Sequence, residues 1–321
     1  MSRKCVLAYR ALPAEQMDRI RNEHEVVQAD PRIPGQERAF LEALPQAQGL
    51  IGSSYAIGRE LLDRAPRLEV ISSISVGVDK YEPLELQRRG IMLCHTPGVL
   101  TETVADLLFG MVLATSRRIP ELARLVEAGQ WKANIGSDLF GWDVHGKTLG
   151  ILGYGRIGHA VARRAALGFN MPVLYHSRSN VPSGLPDGCA KAVTRDELLA
   201  QSDFVVIVLP LTDETRGMLD ADAFARMKPG AILVNGARGP IVREDALLDA
   251  LDHGSLRAAA LDVFDVEPLP LDSPLRGHPK ILALPHAGSA THETRLAMAE
   301  MATSNLLLAL RGETPLAAYR A

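Results

Sequence analysis

Residues 148–158, Thr148-Leu149-Gly150-Ile151-Leu152-Gly153-Tyr154-Gly155-Arg156-Ile157-Gly158, decide the fold. An apolar run enters a G-x-G-x-x-G loop, and a helix-forming segment, residues 157–167, leaves it. Gly153 permits the tight strand-to-helix turn, Gly155 lets backbone amides approach a pyrophosphate, and Gly158 lets the helix lie close on the strand. The free amides and dipole at the helix N-terminus favour an anion there. The glycine pattern alone requires no more than a glycine-rich turn. A second apolar run at residues 172–175 closes a βαβ unit around it, and that context makes it a dinucleotide site.

Upstream of this loop, short apolar runs at residues 5–9, 25–28, 49–51, 69–75 and 91–94 alternate with amphipathic segments near residues 13–23, 37–44, 59–64 and 83–89. Such alternation predicts a parallel sheet covered on both faces. A long helical pattern starts at Thr101, carries Val104, Leu107, Leu108, Met111 and Val112 on one face, and is predicted to stop near Pro120. Strands are predicted at residues 204–209, 231–235, 258–261 and 281–284, a helix at residues 245–252, and a last helix at residues 293–310. Proline and glycine mark loops at residues 181–188 and 268–279. A chain of 321 residues exceeds the usual single core. The expected architecture is α/β with two open, doubly wound parallel sheets. A Rossmann cofactor domain, residues 101–286, is inserted into a discontinuous flavodoxin-like substrate domain, residues 1–100 and 287–321. Ligands are expected in a cleft at the carboxyl ends of the strands.

Bulk properties narrow the function classes. Hydrophobic residues make up 47% and charged residues 23%, as in ordinary globular proteins. Lys plus Arg number 35 against 38 Asp plus Glu, a net charge of −3, and no basic run suits nucleic acid. Cys5, Cys94 and Cys189 are odd in number and widely spaced, which argues against a disulfide framework or a zinc site and for a reducing, cytoplasmic setting. The N-terminal apolar run, residues 5–8, is too short for a signal segment, and no 18-residue apolar stretch predicts a membrane span.

Three residues carry candidate chemistry. Arg238 follows Val234-Asn235-Gly236-Ala237, Glu267 follows Asp262-Val263-Phe264-Asp265-Val266, and His286 follows Ala283-Leu284-Pro285. Each lies just past a predicted strand, at the rim of the sheet. Together they suit carbonyl reduction: an Arg to fork onto a carboxylate, a His to give a proton, and an acid to orient that imidazole. Singly they read as a surface arginine, a solvated loop acid and a loop histidine. Their joint occurrence beside a nucleotide loop favours catalysis.

At this point the sequence resembles the D-isomer-specific 2-hydroxyacid dehydrogenases. The likeness rests on the glycine loop, Leu209-Pro210-Leu211-Thr212 with Thr215, residues 234–239, Leu261-Asp262-Val263-Phe264 with Glu267-Pro268, and Pro285-His286. Ser75-Val76-Gly77-Val78-Asp79, His95-Thr96-Pro97, residues 100–106 and residues 288–295 point to the glyoxylate/hydroxypyruvate and 2-ketogluconate reductase branch. The resemblance implies that Arg238 binds the substrate carboxylate and carbonyl, His286 is the general acid, and Glu267 pairs with His286. It implies that Val76 and Gly77 present amides to the same carboxylate, although a plain strand-to-helix turn is the simpler reading of that loop. It places Asp262 at the nicotinamide and Thr103 near the cofactor. Arg156, Ile157, His176, Leu209, Pro210, Thr215, Gly236, Ala237 and Gly288 complete the cofactor contacts it implies. The family is typically dimeric. Residues 101–120 are a candidate dimer surface, or equally a face buried within one chain.

The cofactor is read at the end of the second βαβ strand, where an NAD site presents an Asp or Glu to the ribose. Here the sequence is Leu174-Tyr175-His176-Ser177-Arg178-Ser179, with no carboxylate. A cation flanked by two hydroxyls suits a 2'-phosphate, so NADP is expected, with NAD used less efficiently. Stacking of Arg178 on adenine, with dual use, is the competing reading. No metal is expected, since His286, His292 and Glu293 match no zinc spacing. The expected activity is NADPH-dependent reduction of a small 2-oxo acid to a D-2-hydroxy acid, with glyoxylate, hydroxypyruvate and 2-ketogluconate as candidates and Leu100, Trp131 and Trp142 near the choice. Two alternatives stay open: a nucleotide-sensing, corepressor-like protein, and a family dehydrogenase acting on another 2-hydroxy acid. The short stretch after the last helix sets the expectation against an added regulatory domain.

Overall fold

The computed structural model describes residues 3–178, 185–186 and 188–320. The chain divides into two compact units, Met1–Leu100 with Ala290–Ala321, and Thr101–Ser289. Both are parallel α/β sheets wound in two directions, as the alternating pattern predicts.

The first unit holds β1 (Cys5–Ala8), α1 (Ala14–Glu23), β2 (Glu25–Gln28), α2 (Glu37–Ala43), β3 (Gly49–Gly52), α3 (Arg59–Asp63), β4 (Val70–Ser73), α4 (Pro83–Arg88) and β5 (Met92–Cys94). The five strands run in the order β2-β1-β3-β4-β5, every pair parallel. The order turns back on itself between β1 and β3, which makes their carboxyl ends the switch point where open sheets bind ligands. β3 and β4 are buried along their whole length, so they read as continuous apolar or small-residue runs rather than alternating ones.

In the second unit, α5 (Thr101–Ser116) and α6 (Ile119–Glu127) precede β6 (Leu149–Leu152), α7 (Arg156–Arg163), β7 (Val173–His176), β8 (Ala190–Ala192), α8 (Arg195–Gln201) and β9 (Phe204–Ile207). The chain continues through α9 (Ala221–Arg226), β10 (Ala231–Asn235), α10 (Glu244–Asp252), β11 (Leu256–Leu261) and β12 (Ile281–Ala283). Strand order is β12-β11-β10-β9-β6-β7-β8, again all parallel, with the switch point between β6 and β9. The last helix, α11 (His292–Leu310), belongs to the first unit. It lies on β3 and β4: a Cβ on Gly49 would fall 2.8 Å from Leu306 Cδ1, and the Ser72 hydroxyl donates to the Ala302 carbonyl at 2.7 Å.

The helix after Thr101 departs from expectation. It ends at Ser116, Arg118 adopts a left-handed φ of 55°, and a separate helix begins at Ile119 with Pro120 in its first turn. Proline lacks an amide that the first turn would leave unpaired, so Pro120 starts a helix rather than stopping one. Arg118 secures the break by donating to both Glu121 carboxylate oxygens, at 2.6 and 2.8 Å. The apolar side of α5, including Val104, Leu108, Met111 and Val112, is buried, and Leu108 packs against Gly236 of its own unit. Residues 101–116 therefore spend most of their apolar face inside one chain, whereas Ile119 stays exposed.

The glycine loop takes the expected form. Gly153 has a φ of 101°, and a Cβ there would fall 2.8 Å from the Val208 carbonyl oxygen. A Cβ on Gly158 would lie 2.1 Å from the Gly153 carbonyl oxygen, whereas one on Gly155 would meet nothing within 4 Å. Because backbone cannot yield as a side chain does, Gly158→Ala is expected to cost about 1–3 kcal/mol. Gly155→Ala should cost about 1 kcal/mol or less while still weakening nucleotide binding. Urea midpoints and nucleotide titrations of both variants check this; equal losses of stability would contradict the packing account.

Candidate active site

Nearly every candidate residue sits on one of six loops that leave the carboxyl ends of the second unit's seven parallel strands. The glycine loop follows β6, with Gly155 as the residue before α7. The amides of Arg156, Ile157 and Gly158 open α7, and the first turn of a helix leaves such groups without intrahelical partners. The space beside Gly155 and these amides fits a pyrophosphate, so the residues present suit a dinucleotide. Tyr154 points away from the loop; it is buried and stacks on Tyr175 with ring centroids 3.8 Å apart.

At the end of β7, His176 is half-buried and its Nδ1–H donates to the Val193 carbonyl at 3.1 Å. Ser177 and exposed Arg178 follow, while Ser179 lies outside the described residues. The charge of Arg178 reaches Glu214, whose carboxyl is held below its ordinary value first by the Thr212 hydroxyl and then by a backbone amide, with Arg178 contributing. Leu209 and Pro210 follow β9 beside the glycine loop, since Gly153 abuts Val208. Thr215 shapes this turn: its Oγ1 donates to the Pro210 carbonyl and accepts from the Thr212 amide, both at 2.8 Å. Thr103 lies half-buried in the first turn of α5.

The catalytic candidates come together through backbone packing. Arg238 follows β10, and the buried side chain of Asn235 wraps its turn by accepting from the Ala237 amide at 3.0 Å and donating to the Arg238 carbonyl at 3.1 Å. Gly236 fits under Leu108, and a Cβ on Gly239 would overlap the Phe264 backbone at 1.9 Å. The loop after β10 thus touches the loop after β11, which carries Glu267. One Glu267 oxygen accepts from the Phe264 amide at 3.0 Å, and the other accepts from His286 Nδ1 at 2.8 Å. Arg238 Nη1 donates to the Ala237 carbonyl at 2.7 Å, and its charge acts on Glu267.

His286 follows β12 with a φ of 53°, a left-handed conformation uncommon outside glycine and held here by its surroundings. Asp262 supplies that constraint. It is buried at 2% exposure, and its two oxygens accept from the amides of Ala287 at 2.7 Å and Gly288 at 2.8 Å. Burial raises its carboxyl above the ordinary value against the lowering effect of those amides. Neither the Asp262 clamp nor the Asn235 wrap was read from the sequence, although both residues stand inside motifs quoted for the family likeness.

In the first unit, Val76 and Gly77 follow β4. Two carbonyls of their loop are held from behind: Ser75 accepts from the Thr96 amide at 2.9 Å, and Val76 accepts from His95 Nδ1 at 3.1 Å. His95 is fixed in turn, with its carbonyl accepting from buried Asn305 at 3.0 Å and its ring meeting Tyr319 edge-on at 5.4 Å. No acceptor for the amides of Val76, Gly77 and Val78 is found among the described residues. That arrangement can receive an anion. Leu100 is buried, Trp131 is exposed, and Trp142 lies under Arg257 with the guanidinium 3.9 Å from the ring centroid. Among the described residues no cluster of three or more His, Cys, Asp or Glu could hold a metal ion, and no helix is long and apolar enough to cross a membrane.

Comparisons with known proteins identify the family. Residues 109–288 match the family described as D-isomer specific 2-hydroxyacid dehydrogenase, NAD binding domain. Glyoxylate/hydroxypyruvate reductase B of Escherichia fergusonii is 49% identical over 307 residues, covering 96% of this chain and 95% of that protein. A protein from Thermus thermophilus superposes with a TM-score of 0.89 at 43% identity, over 98% of this chain and 100% of that one. An NADPH-dependent glyoxylate/hydroxypyruvate reductase from Sinorhizobium meliloti, solved with NADP and malonate, gives 0.87 at 29% identity, over 99% of this chain and 97% of that one.

Burial pushes the Glu267 carboxyl up, but the His286 ring, the Phe264 amide and the Arg238 charge outweigh it, so the carboxyl lies below its ordinary value of 4.5. A group lowered on folding contributes stability in full above its unfolded pKa and loses it as pH falls through the folded one. The stability difference between the unaltered protein and Glu267→Gln should therefore shrink as pH falls below about pH 4, where the Glu267 carboxylate is itself protonated. Urea unfolding of both proteins between about pH 5 and about pH 3 measures it, and a difference that stays constant or widens below about pH 4 would contradict the pairing.

Proposed function

The chain belongs to the D-isomer specific 2-hydroxyacid dehydrogenase family and is an NAD(P)-dependent dehydrogenase, and from that membership we propose that it reduces small 2-oxo acids to D-2-hydroxy acids with NADPH preferred. Glyoxylate, hydroxypyruvate and 2-ketogluconate are the substrates in view; NADH serves less efficiently. The observation that carries the reading is the hydrogen bond of Glu267 to His286 Nδ1, made where the charge of Arg238 also reaches. A bound nicotinamide supplies the hydride that the carbonyl carbon accepts.

The remaining work falls to this chain's side chains. His286 is held at Nδ1 by Glu267, which leaves Nε2 as the atom that gives its proton to the substrate oxygen. Glu267 stabilises the protonated ring before transfer and fixes its plane. Arg238 forks onto the substrate and steadies negative charge developing on that oxygen, an electrostatic contribution that is commonly among the larger ones. Asp262 keeps His286 in its left-handed backbone position, and in this reading it would face a bound nicotinamide. Thr103, Leu209, Pro210, Gly236, Ala237 and Gly288 line the cofactor in this reading. Val76 and Gly77 offer their amides to a substrate carboxylate.

The NADPH preference rests on Ser177 and Arg178, which present a hydroxyl and a cation at the end of β7 where an NAD site would carry an acid. The reading extends to a cytoplasmic homodimer. Support for a second copy comes from Ile119, Val126, Trp131, Ile135 and Phe140, all large apolar side chains left exposed in the segment after α5.

Steady-state kinetics with glyoxylate test the whole reading. The expected result is turnover with both cofactors and a higher kcat/KM for NADPH. Arg178→Gln should lower kcat/KM for NADPH by about 10- to 100-fold and leave NADH within about twofold. Preference for NADH in the unaltered protein would overturn the cofactor assignment, and no turnover with any of the three acids would overturn the activity.

A further inference from the structure

The first unit carries a cationic cluster that the chemistry above does not use. Arg10 follows β1, Ser53 and Ser54 follow β3, and Arg295 lies in the first turns of α11. β1 and β3 are the strands between which the sheet order reverses, so the cluster stands at the switch point of this sheet. Arg10 is half-buried, and its Nη1 donates to Ser53 Oγ at 2.6 Å and to Ser54 Oγ at 3.4 Å. Ser53 is buried at 2% exposure, and Ser54 holds a left-handed φ of 61°.

The charges here do not balance. Among the described residues neither Arg10 nor Arg295 forms an ion pair. Asp30, the acid whose field reaches Arg10, is taken by Arg32 in a two-pronged pair at 2.6 and 2.9 Å. Burial, then the charges of Arg295 and Arg32, lower the pKa of Arg10, as expected where a cation is desolvated beside like charges. Two guanidiniums gathered without a carboxylate call for an anion from outside the chain.

We infer that Arg10 and Arg295, with Ser53 and Ser54, form a subsite for a second anionic group at the far end of the substrate. The inference rests on the 2-oxo acid reading and specifies its substrate class: acids with a long polar chain ending in a phosphate or a second carboxylate. Spacing supports the match. The loop carrying the unbonded amides of Val76 and Gly77 follows β4, next to β3 and two strands from β1. Neighbouring strands lie about 4.8 Å apart, so the two anion positions are about 5–10 Å from one another along the sheet edge. An extended chain advances about 1.2 Å per bond. A six-carbon acid with a terminal phosphate spans seven bonds from carboxyl carbon to phosphorus, about 8 Å on that rule, and bridges the gap. Glyoxylate, with a single carbon–carbon bond, cannot reach.

The test compares glyoxylate, 2-ketogluconate and 2-ketogluconate 6-phosphate as substrates of the unaltered protein and of Arg10→Gln and Arg295→Gln. Among the described residues Arg295 has no side-chain partner whose loss would disturb folding, and retained glyoxylate turnover shows that each variant is folded. The expected result is a kcat/KM for the phosphate ester about 10- to 100-fold above that for 2-ketogluconate, lost in either variant, with glyoxylate within about twofold throughout. No preference for the phosphorylated acid, or an equal fall on all three substrates, would overturn the subsite. If the unaltered protein reduces none of glyoxylate, hydroxypyruvate and 2-ketogluconate, the reductase reading falls instead. Calorimetry with 2-ketogluconate 6-phosphate then decides the subsite alone: weaker binding by Arg295→Gln upholds it and equal affinity overturns it.

Discussion

The second unit depends on a buried carboxylate that holds a strained turn. Asp262, at the end of β11, receives the amides of Ala287 and Gly288 and thereby fixes the loop after β12 with His286 in a left-handed conformation. A buried carboxylate is very costly to keep without partners, and an unpaired amide is costly to a smaller degree, so each stabilises the other. Gly239 completes the arrangement by letting the β10 loop lie directly on the Phe264 backbone. Arg238, Glu267 and His286 come from three strands, yet these two backbone contacts leave them little freedom relative to one another. Such rigidity would suit the proton donor proposed for His286.

Much of this was legible in the sequence because the signals are local. The glycine loop announces itself by three positions whose demands are steric, and the structure shows those demands at Gly153 and Gly158. Parallel strands buried on both faces read as apolar runs, which is why β3, β9 and β10 were found close to their observed bounds. The helix boundary at Pro120 was misread because a proline stops one helix and starts another by the same missing amide, and only the left-handed Arg118 distinguishes the cases. Short β8 and the capped helices α8 and α9 were passed over, although Thr194 with Glu197 forms a capping box that sequence spacing can reveal.

The supporting groups were harder to see for a physical reason. Asn235, Asp262 and His95 act on backbone atoms brought near by the fold, and a hydrogen bond to a distant carbonyl or amide leaves no periodic trace in sequence. The same holds for Arg10 and Arg295, separated by most of the chain and joined only when α11 returns to the first unit. Both sheets use the same principle nonetheless. Amides or cations gather at the carboxyl ends of strands near a switch point, where helix dipoles and unbonded N–H groups favour negative ligands.

The central claim is that His286, held by Glu267, delivers the proton to a substrate oxygen that Arg238 also engages. A crystal structure with NADP and oxamate, an unreactive mimic of a 2-oxo acid, tests it most directly. The account predicts His286 Nε2 within hydrogen-bond distance of the oxamate amide-carbonyl oxygen, Nδ1 still on Glu267, and the Arg238 guanidinium on the same ligand. An oxamate bound away from His286, or an imidazole turned so that Nε2 faces Glu267, would contradict it.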